Sequence, residues 1–429
     1  MLLSRVVPVL AAVATAIAQE PASLSLAGDW LVRVALPGRP AETLSVFPSP
    51  LLQVAGEPYT NLPLFNPKAG GWVRGAQLNP LKAQETTSRH LLDPTSFSLS
   101  DGTQLLTPGT DYEIDLEWGT FGRLPNSRIQ PNQTVYATYR HAQMRLDAVV
   151  QTANGTIVIR TGEPRAAAPA QPAIQPGECH LGNIYIPVYL KKLTPEHLFP
   201  VLETAYPETP IQPTPTITRL KKRLENAEKI RILAWGDSVT DASYLPNKPA
   251  DRWQDQFVAR LRKQYPKATI DLLTQAWGGR NTATYLAEPP GSPHNYQETV
   301  LALKPDVVIS EFVNDAGSKP EVIAKRYAKL EADFKAIQAE WIILTPHYTR
   351  PDWMDLTRER DIDDDPRPYV KAVRQFAATH DVALADASRR WGRLWRQAIP
   401  HNTLLLNAIN HPNAHGMRLF ADALMALFQ

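Results

Sequence analysis

The stretch RILAWGDSVTDA, residues 231–242, decides how the C-terminal half of this chain folds. Ile232, Leu233 and Ala234 read as a short buried strand, and the apolar run stops at Gly236. Asp237, Ser238 and Thr240 follow at once. Two local structures satisfy that order. A helix could start here, with Ser238 or Asp237 as its cap and no chemistry implied. Or a serine hydroxyl is displayed at the carboxyl end of a parallel strand. The choice depends on what else arrives at the same edge.

Outward from this stretch, strands and helices alternate. The pattern predicts strands over 230–235, 269–273, 307–312, 341–344 and 382–385. It predicts helices over 217–228, 253–264, 321–338, 369–379 and 418–428. Five short apolar strands separated by helices argue for a parallel sheet covered on both faces. Right-handed crossovers then bring every strand's carboxyl end to one rim, where open α/β sheets bind ligands. The expected architecture of residues 216–429 is a flavodoxin-like three-layer α/β/α domain.

Residues 25–215 read differently. QTVYATYRHAQMRLDAVVQTANGTIVIRTG, residues 133–162, alternates apolar and polar positions, and Asn154-Gly155 is a hairpin signal. A β-sandwich, jelly-roll-like domain is expected there. The Pro/Ala-rich run 164–178 reads as an extended linker, and a second irregular piece lies around 206–216.

The chain has 429 residues, enough for two cores, and a net charge of +2 from 45 basic and 43 acidic residues. The charges are interspersed, with no basic block to track phosphates, so nucleic acid is not an expected partner. Arg5, the apolar run 6–14 and Ala16-Ile17-Ala18 read as a signal peptide over 1–18, cleaved before Gln19. The protein is therefore expected to be exported (periplasmic or extracellular), with no stable membrane insertion, because no later segment is apolar enough to span a bilayer. Cys179 is the single cysteine, which rules out an intramolecular disulfide; beside His180 it is too small a ligand set to indicate a metal.

At the rim, Gly236-Asp237-Ser238 is followed in order by QAWGGRNTATYL (275–286), EFVNDAG (311–317), TPHYTRPDW (345–353) and LNAINHPNAHG (406–416). A serine hydroxyl needs a base to become a nucleophile, and a neutral imidazole serves near pH 7. A tetrahedral intermediate needs preorganised donors, which glycine N–H groups and an Asn amide supply.

In these pieces the second domain resembles the SGNH (GDSL-type) hydrolases, and the resemblance covers roughly the last 210 residues. GDSVT matches the first block, with Ser238 in the nucleophile position. GGR resembles the second, with Gly279 best matching the oxyanion glycine. VND resembles the third, with Asn314 as the oxyanion asparagine. NHPNAHG resembles the last, with His411 as the base. The resemblance implies an oxyanion hole of the Ser238 N–H, the Gly279 N–H and the Asn314 amide.

Two departures stand out. The family's aspartate, three residues before the histidine, is Ala408 here, and the glycine two before the asparagine is Phe312. His411 must then be oriented by Asn407, Asn410, a backbone carbonyl or a carboxylate from elsewhere such as Glu311; otherwise a Ser–His dyad works alone.

Further candidates surround this set. His347, Tyr348, Arg350 and Trp353 form an aromatic and cationic loop suited to sugars or acidic sugars, and Arg280 is a candidate substrate contact. Trp72 and Trp118 in the β-rich half could form a carbohydrate platform. His415 lies four residues after His411, but without the acid of a zinc motif it reads as a helix-start residue. The acidic run within RERDIDDDPRP, residues 358–368, reads as a solvated loop rather than a calcium site.

The expected function is an exported serine esterase that deacetylates a polysaccharide or oligosaccharide through an acyl-enzyme, with no metal or organic cofactor. The deacetylase part rests on the likeness to exported carbohydrate esterases of the same family. A lipid or aryl esterase, a glycosidase using acids of residues 352–365, and a non-catalytic carbohydrate-binding protein are the alternatives. The oligomeric state cannot be read from the sequence.

Overall fold

The structure, a computed structural model, describes residues 21–209 and 214–429. The signal-peptide reading of residues 1–18 lies outside the described residues, as does part of the irregular piece around 206–216.

The C-terminal half is built on five parallel strands: Lys229–Gly236, Thr269–Ala276, Val307–Glu311, Glu340–Leu344 and Ala383–Ala385. Their order across the sheet is second, first, third, fourth, fifth. Successive side chains point to opposite faces, and the sequence is apolar on both. Ile232 and Ala234 pack into one core with helices Pro215–Glu225, Trp253–Gln264 and Ala414–Ala426. Leu233 and Trp235 pack into the other with helices Pro320–Ala336 and Pro368–His380. Each fully buried Leu or Ile contributes on the order of 1.5–3 kcal/mol, so the two faces together hold the sheet rigid beneath its rim. The fold is the three-layer α/β/α arrangement expected from the alternation.

Helix ends account for the small differences from expectation. The last helix starts at Ala414 rather than 418 because Asn413 accepts the Gly416 N–H at 3.0 Å and caps it. His415 consequently sits in its first turn.

The first half is antiparallel β, forming a separate domain with four small sheets that pack in pairs. Strands Ser23–Gly28, Leu31–Ala35 and Glu42–Ser45 face a four-stranded sheet across a core of Val32, Val34, Val149, Ile184 and Ile186. The Asn154-Gly155 turn joins two strands of that second sheet, with Gln151 opposite Ile157 and Gly155 at φ +86°. A second pair of three-stranded sheets encloses Leu99, Phe121, Val135 and Tyr139.

The halves share contacts. Leu146, Tyr185 and Phe199 of the β half form one cluster with Trp395 and Ala398 of the α/β half. The Asn183 amide donates to the Ala398 carbonyl at 2.9 Å, and Val201 bridges to Gln397. A cavity of about 730 Å³ lies elsewhere, lined by Tyr206, Arg374, Arg390 and Leu427, away from the rim described next.

Candidate active site

Sheet register brings the rim pieces together. Gly236 is level with Ala276 on one side and Glu311 on the other. Residues two or three beyond these ends, Ser238, Gly278 and Asn314, therefore converge at the point where the strand order reverses. Gly236 is required by close approach: a side-chain carbon there would stand 2.4 Å from the Glu311 carbonyl oxygen.

The helix beginning at Ser238 is one turn long, Ser238–Asp241, and Asp237 caps it by accepting the Val239 N–H at 3.0 Å. Capping thus falls to Asp237, which leaves the Ser238 hydroxyl without that duty. Ser238 Oγ lies 3.1 Å from His411 Nε2. His411 is nearly buried, and its ring stacks on Tyr244 with centroids 4.1 Å apart and planes 9° from parallel.

The other side of the His411 ring meets a residue from the β half. Nδ1 stands 3.0 Å from Glu85 Oε1. The N–H points off the line to that oxygen, so the two groups stand at hydrogen-bond distance without an in-line bond. A carboxylate facing Nδ1 favours the tautomer with its proton there, leaving the Nε2 lone pair for Ser238. The His411 contact holds the Glu85 carboxyl below the usual range, against the opposing effect of burial.

Glu85 reaches this position because its neighbours are tied down. A tight turn closes as the Ala83 N–H donates to the Thr86 carbonyl at 2.9 Å. The Gln84 N–H donates to the Leu406 carbonyl at 3.1 Å, and the Thr86 hydroxyl donates to the Asn407 carbonyl at 2.7 Å. The acid is clipped from both sides onto the loop that carries His411.

Asn407 shapes that loop. Its Oδ1 accepts the N–H groups of Ile409, Asn410 and His411 at 3.0, 2.8 and 2.9 Å, and Ala408 turns through φ +55°. The orienting groups named from sequence are corrected here. The Asn410 side chain meets Asn407, not His411. Glu311 is buried and meets the Thr240 hydroxyl at 3.3 Å. The facing group is Glu85, so a dyad without a carboxylate is not what the fold builds. Nothing about Glu85 sets it apart in sequence; it is one acid in a polar turn, and the clip through Thr86 joins residues 321 apart.

At the oxyanion side, the Trp277–Arg280 turn closes with the Arg280 N–H on the Trp277 carbonyl at 3.2 Å. Gly279 has φ +71° at the turn's third position, a conformation that favours glycine. Gly278 is the one that faces the serine: a side-chain carbon on it would lie 3.7 Å from Ser238 Cβ. Among the described residues, the N–H groups of Ser238, Gly278 and Gly279 have no protein acceptor. Asn314 donates from its backbone and its amide to Asp237 Oδ2, at 3.0 and 2.9 Å, and retains a second amide hydrogen. Burial raises the Asp237 carboxyl to about 7 and pushes the Glu311 carboxyl well above the carboxylate range, because two acids cannot both ionise in so dry a place. Phe312, where the family has glycine, packs on Trp235 at 4.8 Å between centroids and belongs to the core.

The loop after the fourth strand divides. His347 and Tyr348 are fully buried, so the expectation that they touch substrate is corrected. His347 Nε2–H donates to the Asn410 carbonyl at 2.8 Å and steadies the His411 loop from below; burial holds its imidazole well below the usual value. Tyr348 fills a core with Trp391 and Leu404. Arg350 is buried as well, its guanidinium covered by the Trp118 and Trp353 rings, so its expected substrate contact is corrected too, while Trp353 stays at the surface, 48% exposed. Arg280 packs its guanidinium over Trp277, 4.9 Å from the ring centroid.

Of the seven acids in residues 352–365, five are engaged by arginines: Asp352 by Arg350, Asp361 by Arg360, Asp363 by Arg396, Asp364 by Arg374 and Asp365 by Arg367; Glu359 accepts from the Asn402 amide. Among the described residues no cluster of three or more His, Cys, Asp or Glu could hold a metal, and no helix is long and apolar enough to cross a membrane.

Among solved structures, a two-domain esterase active on acetylated mannans is 18% identical with a TM-score of 0.40, the match covering 49% of this chain and 52% of that one. An acetylxylan esterase from Geobacillus stearothermophilus is 19% identical with a TM-score of 0.37, over 46% of this chain and 93% of its own. The acetyl xylan esterase AlAXEase is 20% identical with a TM-score of 0.37, over 46% and 98%. Likeness this low leaves substrate to be read from the site itself. No curated protein matches. The family model of the GDSL-like lipases and acylhydrolases matches residues 234–419, which span Ser238, Gly279, Asn314 and His411, and the C-terminal half of this chain is a GDSL-like lipase/acylhydrolase domain.

Proposed function

We propose that the protein is an exported serine esterase that removes acetyl groups from a polysaccharide or oligosaccharide. The observation that carries the ester chemistry is the row Ser238 Oγ, His411 Nε2 and Nδ1, Glu85 Oε1, with steps of 3.1 and 3.0 Å. His411 Nε2 takes the hydroxyl proton as Ser238 Oγ bonds to the acyl carbon. The carbonyl oxygen, now negative, is met by N–H groups of Ser238 and of the Gly278-Gly279 pair and by the free hydrogen of the Asn314 amide. Collapse breaks the C–O bond to the sugar, whose oxygen takes the proton from Nε2–H. Water then gives a proton to Nε2 and its oxygen to the acyl carbon. The second collapse frees the carboxylic acid, and Nε2–H returns its proton to Ser238. Glu85 is the positioning residue that stabilises the imidazolium formed in each half.

Acetyl transfer to water fits a serine reached through a rim of short turns and polar side chains. The sugar as leaving group is supported by Trp353 and the aromatic residues beside it. Export belongs to the same reading, from residues 1–18. The test uses protein recovered from the culture medium, expected to begin at Gln19. Wild type should release acetate from p-nitrophenyl acetate and from acetylated polysaccharides, and Ser238→Ala should lose at least about 10³-fold in kcat. Equal rates from the two proteins would refute the nucleophile.

A further inference from the structure

Trp353 is the most exposed tryptophan among the large apolar side chains that remain at the surface. It lies on the short turn Pro351–Met354 beyond the fourth strand. Its ring is held in place. The Arg350 guanidinium sits 5.2 Å from its centroid, and Trp72 of the β half meets it edge-on at 6.5 Å. Trp72 in turn contacts Trp118 at 5.2 Å, and Arg350 lies 5.3 Å over the Trp118 ring. Trp353 and Trp118, one from each domain, thus flank a single buried guanidinium, and Trp72 touches both rings.

This patch adjoins the reacting serine. The Arg350 N–H donates to the Ile409 carbonyl at 2.8 Å, two residues before His411. Arg89, four residues after Glu85, lies 5.8 Å over Trp118 and pairs with Asp352 at 2.7 Å. Four residues reach at most about 14 Å, so the patch begins within a few sugar rings of the site.

Its charge is balanced. Arg350 is held by Asp352 at 2.6 Å, and Arg89 is shared between Asp352 and Glu117. Two cations face two anions, so no positive charge is left over for a carboxylated sugar. What remains is a fixed indole face beside polar groups, a surface that takes the flat C–H face of a pyranose and hydrogen-bonds its hydroxyls.

We propose that Trp353, backed by Trp72 and braced by Arg350, is a binding subsite for the neutral pyranose chain that carries the ester cleaved at Ser238. The subsite is built jointly by the two domains. It rests on the esterase reading for its place in catalysis, but binding can be tested without turnover.

The experiment compares wild type and Trp353→Ala, with Trp353→Phe as the conservative variant. The ratio of kcat/KM on acetylated mannan or xylan to that on p-nitrophenyl acetate should fall about tenfold in Trp353→Ala, through KM, and recover in part in Trp353→Phe. In parallel, Ser238→Ala should bind deacetylated neutral oligosaccharides with a change in tryptophan fluorescence, and Ser238→Ala/Trp353→Ala should bind them about tenfold more weakly. An unchanged ratio together with unchanged binding overturns the subsite. Tighter binding of polygalacturonate than of the neutral chains overturns the neutral class. If wild type releases no acetate, the esterase reading fails, and the binding arm still decides the subsite alone.

Discussion

At the scale of single residues, the unusual feature is where the third member of the catalytic row comes from. Ala408 stands where the family carries an aspartate, and the carboxylate arrives instead on Glu85, 3.0 Å from His411 Nδ1. The serine, the glycine pair and the asparagine were legible because each lies in a short block just after a strand, and the histidine because its block opens the last helix. Glu85 was not, because its role exists only after two distant loops are clipped together. Glu85→Gln should lower kcat on p-nitrophenyl acetate by about 10²–10⁴-fold with little change in KM, and Glu85→Asp should recover part of the loss. Full activity in Glu85→Gln would mean that His411 works without a facing carboxylate. The pH dependence follows the sign of the shift. The folded carboxyl titrates below its ordinary value of 4.5, so the contact is fully present above that value and is lost only as pH falls below it through the lowered one.

At the scale of elements, the strands could be read and the loops could not. An apolar run between polar ends is a strand whichever partner it finds, and the five parallel strands lie where the alternation put them. The loop after the fourth strand shows the limit. His347, Tyr348, Arg350 and Trp353 look alike in sequence, yet the chain turns two of them into the core and leaves Trp353 outside. The ends of the first and third strands carry a testable cost. Asp237 and Glu311 are both buried and both raised, Asp237 to about 7 and Glu311 well above the carboxylate range. The folded protein keeps protons that the unfolded chain releases near 3.8 and 4.5, so stability falls as pH rises from there toward 7. Glu311→Gln removes one such group, keeps an acceptor for Thr240, and should flatten the decline of Tm between about pH 4.5 and 7. A decline as steep as that of wild type would show that Glu311 ionises in the folded state.

At the scale of the whole molecule, the proposed site draws on both halves. The β half supplies Glu85, Trp72 and Trp118, and it shares a core of Leu146, Tyr185, Phe199, Trp395 and Ala398 with the α/β half. Domains joined by a common core should unfold together. Calorimetry should give one transition whose van't Hoff and calorimetric enthalpies agree, with esterase activity lost across it. Two resolved transitions, with activity surviving the first, would make the β half an appendage.

The division between what the chain declares locally and what only folding settles follows from range. Strand and helix periodicity, the rim order of Ser238, Gly279, Asn314 and His411, and the change from β-rich to alternating pattern all depend on residues within a few positions of one another. Such features survive in one dimension because backbone geometry imposes them on neighbours. The carboxylate for His411, the burial of His347 and Tyr348, and the aromatic patch shared by the two domains depend on contacts between segments hundreds of residues apart. Only packing decides those, because a carboxylate or an indole has the same local signature whether it meets water, a core or an imidazole.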